Sequence, residues 1–293
     1  MKKLRVKVFL IIPLINILLF AGISKPLNGQ KQISTLNMIK LSEWSRGIKL
    51  ESQSDGNLFA FFWFYEWYLF DAVTKGEHTP GNYNWEWTVD EHCKSAVLNG
   101  EWLKLNINSR ENGADLLMEI ANNSDHEWPS IAAIIPCFNP GKINETTKQN
   151  FLFLDEEHLH TYFLGKNGLE LLMGEFPREI HFSHECFSDV AEWEKERQDG
   201  KFVFDEKWPT SVRNAYAGII IRESIDKRYV MGIAWESFLS SQGHNPWHCM
   251  HLSIKVGPLE QGEKKTIRGK IYLFEGSKED CLKEFTKDFH YQE

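Results

Sequence analysis

Between residues 103 and 120 the chain switches side-chain polarity at nearly every step. Leu103, Leu105 and Ile107 alternate with Lys104, Asn106 and Asn108, and Leu116, Met118 and Ile120 repeat the rhythm. Successive side chains of a strand point to opposite faces, so this pattern predicts two strands with one dry and one wet face. Gly113 lies between the two runs, and the pair reads as a hairpin turning at that glycine. Further strand-like runs occupy 58–70, 131–138, 169–173, 216–222, 229–235, 249–256 and 266–274. The last two are joined by Gly257-Pro258-Leu259-Glu260-Gln261-Gly262-Glu263, a sequence rich in turn chemistry. Only two helices are predicted. Ser188 can cap one over 189–198, and Ser277 with Asp280 forms a capping-box pattern ahead of Cys281, Leu282, Phe285 and Phe289, which share one helical face. Many strands separated by turns predict a mainly all-β chain: a large antiparallel β-sandwich or supersandwich with one or two short helices, one of them C-terminal.

The first residues have the layout of an export signal. Lys2, Lys3, Arg5 and Lys7 precede an apolar stretch from Val8 to Ala21, interrupted only by Pro13 and Asn16, and Gly22, Ser24, Pro26, Asn28 and Gly29 follow. That stretch is shorter than the roughly 20 apolar residues of a spanning helix. The expectation is a signal peptide over 1–29 and a single β-sandwich domain over 30–293. The mature chain is then secreted, periplasmic or at the cell surface, with no integral membrane association after cleavage. Removing five positive charges (Lys2, Lys3, Arg5, Lys7, Lys25) and no acidic ones takes the net charge from −8 to −13. So acidic a domain repels phosphate backbones and anionic membranes, and no basic run reverses this locally, which excludes nucleic acid as a partner. No linker, low-complexity tract or repeat divides the remaining chain, so one domain is expected. Cys93, Cys137, Cys186, Cys249 and Cys281 lie far apart without a C-x-x-C; their odd count leaves at least one thiol outside any intrachain disulfide. A core of this size needs no staples, and most cysteines are expected to be buried small apolar residues.

Four segments carry candidate chemistry. Over 61–71, Phe62, Phe64, Glu66, Tyr68 and Phe70 share one strand face, and Phe61, Trp63, Tyr65, Trp67 and Leu69 the other. Two aromatic faces suit a central strand. Among those rings the carboxylate of Glu66 must be paired or take a raised pKa, the state a general acid uses at neutral pH; a buried arginine or backbone donors holding it is the structural alternative. The second segment, 242–251, packs His244, Trp247, His248, Cys249 and His251 together. Such imidazoles bind a divalent metal or move protons. With Met250, Leu252, Ile254 and Val256 facing the core, His251 lies on the opposite face beside Cys249 and Ser253. A strand that included His248 would point His248 and His251 apart, so a shared ion requires His244 and His248 on a bent loop, which Gly243 and Pro246 permit. The same loop reads as a sugar site with Trp247 as stacking platform and Asn245 as a hydroxyl partner. The third, His158-Leu159-His160, lacks the nearby Glu of an H-x-H metal motif and reads as partly exposed strand histidines; His181-Phe182-Ser183-His184 has the same weakness. The fourth, 123–129, offers His126 and Glu127 as an acid/base pair and Trp128 as a cleft wall, although Asn, Ser, Asp and Pro in a row also compose ordinary turns. Asn122 and Asn144 head N-x-S/T sequons. No phosphate-binding glycine loop, G-x-S-x-G elbow, H-E-x-x-H or P-loop is present, which argues against a dinucleotide enzyme, an α/β-hydrolase, a zincin and a kinase.

The stretch WTVDEHCKSAVLNGEWLKLNINSRENGADLLMEIANNSDHEWPSIAAIIPCFNPG resembles the centre of a galactose-mutarotase-like sandwich, where a strand pair precedes a tN-x-S-D strand end and a wall of the sugar cleft. VGPLEQGEKKTIRGKIYLFEG is similar to that superfamily's closing hairpin. The resemblance implies a fold and a carbohydrate substrate class; the family's catalytic His and Glu have no aligned counterpart here. Eleven tryptophans lean the same way, because indole faces stack on the C–H faces of pyranose rings. The first expectation is a secreted carbohydrate-active enzyme, a hydrolase, lyase or epimerase. Glu66 and one of His244, His248 and His251 would act as proton donor and acceptor, with Trp67, Trp128, Trp247, His126 and Asn245 on the substrate. Its rival is a non-catalytic glycan-binding sandwich. Neither requires a cofactor. The third expectation is a metal-binding protein or metalloenzyme built on His244, His248 and His251 with a divalent ion.

Overall fold

The alternating run over 103–120 forms two neighbouring strands, β6 (Leu103–Arg110) and β7 (Gly113–Ala121), paired from Leu103↔Ile120 to Arg110↔Gly113. The computed structural model describes residues 38–44, 47–64, 86–128, 130, 132–140, 150–154, 159–172, 179–187, 211–242 and 248–291. All belong to one compact unit, Thr35–Glu293. The turn of this hairpin is Glu111-Asn112, one step before the predicted position. Gly113 (φ +143°) is instead the first residue of β7, where a Cβ would overlap the carbonyl oxygen of Ile271 on a neighbouring strand.

In chain order the other strands are β1 (Ile39–Trp44), β2 (Gly47–Ser52), β3 (Phe59–Phe64), β4 (Glu86–Val89), β5 (Ser95–Asn99), β8 (Ala133–Ile134), β9 (Pro136–Asn139), β10 (Thr161–Gly165) and β11 (Gly168–Leu171). They continue with β12 (His181–Phe182), β13 (Ile219–Glu223), β14 (Tyr229–Trp235), β15 (Phe238–Gln242), β16 (Met250–Lys255) and β17 (Lys264–Glu275). Two antiparallel sheets result. The first runs β1-β2-β3-β9-β16-β15-β12, with β8 also on β16; the second runs β11-β10-β13-β14-β17-β7-β6-β5-β4. Every expected strand run, as far as it is described, falls in one of these sheets.

Between the sheets lies one contiguous core. Leu41, Leu50, Phe62, Phe138, Met250 and Leu252 enter from the first sheet, and Leu98, Leu105, Leu116, Met118, Ile233 and Ile271 from the second. Full burial of each such side chain stabilises the fold by about 1.5–3 kcal/mol. The outer face of the second sheet is covered by α1 (Lys278–Phe289). Ser277 and Asp280 close the expected capping box, and Cys281 and Phe285 pack on Ile219, Ile221, Val230 and Tyr272. Glu223, on β13, accepts the backbone N–H of Lys278 at 3.1 Å and so fixes the start of the helix. The outward face of the first sheet carries a third cluster: Phe59, Phe61, Trp63, Cys137 and Cys249, with Trp44 packed against it. Residues 1–29 and the helix expected over 189–198 lie outside the described residues. Among the described residues no helix is long and apolar enough to cross a membrane.

Candidate functional site

Among the described residues, a buried cluster of thiols and an imidazole and a surface cleft combine polar groups with a shape that could serve a ligand. The first lies on the outward face of β9 and the start of β16. Cys137 on β9 pairs directly with His251 on β16, and Trp63 on β3 is Cys137's partner on the other side. Cys249 precedes His251 by two residues and shares its face, as the alternation over 249–256 predicted. The Sγ atoms of both cysteines and a ring nitrogen of His251 lie within 4.8 Å of one another, all buried. Around them, Asn139 Nδ2 donates to Cys249 Sγ at 3.4 Å, and His251 Nδ1 lies 3.1 Å from Gln242 Oε1. Gln242 Oε1 can only accept, so Nδ1 carries the proton. On the same face Ser240 and Ser253 bond to each other at 2.8 Å. None of the five cysteines, all of them described, is in a disulfide.

The second place is a cleft of about 670 Å³. Its walls are the β2–β3 loop with Asp55 and Asn57, the turn Asn150-Phe151-Leu152, and the β13–β14 turn with Asp226 and Arg228 together with Tyr229, the first residue of β14. Each acidic residue shapes its own loop. Asp55 Oδ1 accepts the Asn57 backbone N–H at 2.9 Å, while Asp226 Oδ1 accepts the Ser224 hydroxyl at 2.6 Å and the Arg228 N–H at 3.1 Å. Tyr229 then ties two walls together, its hydroxyl donating to Asp55 Oδ2 at 2.8 Å and accepting from Arg228 Nη2 at 3.2 Å. Asn150 Nδ2 donates to the Phe59 carbonyl at 2.8 Å, and its Oδ1 is buried with no donor among the described residues. Phe151, 73% exposed, presents an aromatic ring at this cleft. The backbone N–H of Asn57 and then the Tyr229 hydroxyl hold the Asp55 carboxyl below the ordinary carboxylate range, and the Ser224 hydroxyl does so for Asp226. The cleft therefore offers two anionic acceptors, a guanidinium and an apolar platform at neutral pH.

Of the residues expected in a site, Glu66, Trp67, His244, Asn245 and Trp247 lie outside the described residues. His248 and His251 are described and both are buried. His248 precedes β16 with φ +61°, so strand alternation does not extend to it; its carbonyl accepts Arg222 Nη1 at 2.9 Å. The ligand atoms gathered around His251 are the sulfurs of Cys137 on β9 and of Cys249 just before β16. Trp128 is 3% exposed and belongs to the inter-sheet core; its backbone bridges Leu259 and its Nε1 donates to Ser124 Oγ at 3.1 Å, so no indole face is open to a sugar. His126 stays on the exposed loop, 2.9 Å from Asp125 Oδ1. Asn122 is buried, its Nδ2 donating to the carbonyls of His126 and Leu259, which removes that sequon from modification in the folded chain. His160 is half-buried at a bend just before β10 rather than on the strand. His181 is fully buried, stacked on Phe163 at 4.1 Å, with Nδ1 2.9 Å from the Arg213 carbonyl; burial pulls its pKa down to about 4.

No single residue type announced the cleft. Asp55, Asn57, Asp226 and Arg228 read as turn residues, and only the exposure of Phe151 separates it from a core aromatic.

No protein-family model and no curated protein matches the chain. Among solved structures it is similar to a protein of Escherichia coli K12 put forward as an aldose 1-epimerase, at 8% identity over 81% of this chain and 99% of that one, with a TM-score of 0.37. It is also similar to a galactose mutarotase-like protein from Lactobacillus casei ATCC 334, at 10% identity over 80% and 100% of the two chains, with a TM-score of 0.32. The likeness to galactose-mutarotase-like proteins read in the sequence recurs here as a likeness of fold only.

Proposed function

We propose that this protein is an exported carbohydrate-binding protein whose ligand site is the cleft between Phe151 and Tyr229. The observation that carries the reading is the exposed Phe151 ring beside fixed planar polar groups in a cleft of about 670 Å³. A pyranose presents one apolar C–H face to an aromatic ring and a rim of hydroxyls to planar acceptors and donors. Asp55, Asp226 and Arg228 supply that rim. Both carboxylates are held ionised, so they accept hydrogen bonds from hydroxyls rather than deliver protons. That favours binding over turnover at this cleft. The acidic mature charge and the N-terminal signal pattern support export.

Glycan-array screening followed by calorimetry tests this. Phe151→Ala and Asp226→Asn should each weaken the best glycan about tenfold or more, the scale of one lost contact of 1–2 kcal/mol. Unchanged affinity in both variants refutes the assignment. Catalysis by Glu66 with His244, His248 or His251 is a separate proposal: Glu66→Gln that retains glycan binding while abolishing turnover would support it.

A further inference from the structure

We propose that Cys137, Cys249 and His251 form a binding site for a thiophilic divalent cation, Zn²⁺ by the character of its ligands. None of the three ligands lines the cleft. Two sulfurs and an imidazole nitrogen lie mutually within 4.8 Å, the spacing of atoms that share one tetrahedral ion with Zn–S of about 2.3 Å and Zn–N of about 2.0–2.1 Å. Cys137 and His251 face each other across the pairing of β9 with β16, and Cys249 immediately precedes β16, so hydrogen-bonded register sets two of the ligands and the start of the strand places the third.

The surroundings match what a metal needs from its neighbours. Gln242 Oε1 takes the proton of His251 Nδ1, which leaves Nε2 as the nitrogen with a lone pair; fixing the tautomer of a ligating imidazole in this way is a recurrent outer-shell role. Asn139 donates an N–H to Cys249 Sγ at 3.4 Å and so helps to orient that sulfur. Phe59, Phe61 and Trp63 pack into the same cluster as the two sulfurs and exclude water. Charge balance selects the ion. On binding, two thiol protons leave to solvent, and two thiolates with a neutral imidazole cancel the charge of a divalent cation. A monovalent ion would leave a net negative charge buried, which is costly. Three protein ligands leave one tetrahedral position for a further ligand atom.

The test uses the full mature chain, purified and reconstituted with Zn²⁺ or Co²⁺ under reducing conditions. Elemental analysis should find about one zinc per chain, and zinc X-ray absorption should show two sulfur neighbours and at least one nitrogen. Co²⁺ should give thiolate-to-metal charge transfer and strong tetrahedral d–d bands, lost in Cys137→Ala and Cys249→Ala and retained in Cys93→Ser. Gln242→Leu should lower metal affinity about 10–100-fold. The absorption measurement needs no variant, so it stands even where a cysteine variant misfolds. A first shell of nitrogen and oxygen alone, no metal retained by folded reduced protein, or a Cys137–Cys249 disulfide in the unreduced exported chain each overturns the site.

Discussion

His181 should set the acid limit of this fold. Its side chain has no exposed surface, lies against Phe163 and gives its Nδ1–H to the Arg213 carbonyl. Burial is the main reason that its pKa falls from 6.5 to about 4; the Arg213 guanidinium adds to the fall and the hydrogen bond to the Arg213 carbonyl opposes it. The Glu179 carboxylate 4.0 Å from Nε2 would favour an imidazolium, but Arg213 Nη2 competes for it at 3.9 Å. The folded state thus resists a proton that the unfolded state takes up below about pH 6.5. The stability contributed is complete above pH 6.5, declines as the pH falls towards 4 and is then exhausted. A fall of 2–3 pKa units corresponds to about 3 kcal/mol in all, most of it lost by pH 4.5. His181→Phe keeps a ring on Phe163 and removes the titrating group, at the cost of one hydrogen bond worth about 1 kcal/mol. Urea unfolding should therefore find wild type the more stable protein at pH 7 by about 1 kcal/mol and the less stable one at pH 4.5, so the two pH profiles cross. Other titrating groups are common to both proteins and cancel. Parallel profiles, or an imidazole resonance of His181 titrating above pH 6, would refute the reasoning.

Four further outcomes follow from individual contacts. Ser277→Ala removes half of the capping box on α1 and should lower unfolding stability by about 1 kcal/mol by chemical denaturation. Gly113→Ala places a Cβ on the Ile271 carbonyl in a backbone conformation that L-residues avoid, and should cost about 3 kcal/mol or unfold the chain outright. Trp128→Ala should cost about 3–5 kcal/mol in stability while leaving glycan affinity unchanged at a temperature where the variant is folded. Phe151→Ala should reverse that pattern: melting temperature within a degree or two of wild type, because the ring is 73% exposed, but weakened glycan binding by calorimetry.

What the sequence disclosed, and what it hid, follows from where each side chain's partner sits. The alternation of β6 and β7 was legible because one face is wet, so polarity itself records the face. β14 was legible for the opposite reason: all seven of its residues are buried, and it reads as an unbroken apolar run. β15 escaped notice because Ser240, Ser241 and Gln242 are buried yet polar. Ser240 bonds to Ser253 and Gln242 to His251 on the next strand, so for these two the compensation for burial lies outside the segment whose polarity would be scored. The same logic separates the two candidate sites. Cys249 and His251 are visible together in the sequence, and their shared face was predicted, but Cys137 comes from a strand that only the pairing of β9 with β16 brings alongside. The loop histidines drew attention because they were dense in sequence; the ligand set that forms is dense in space. The cleft is harder still, since its carboxylates use their first hydrogen bonds to build turns and only then, through Tyr229, join one wall to another. A residue that serves its own loop and a neighbouring wall at once looks, in a linear chain, like a turn residue and nothing more.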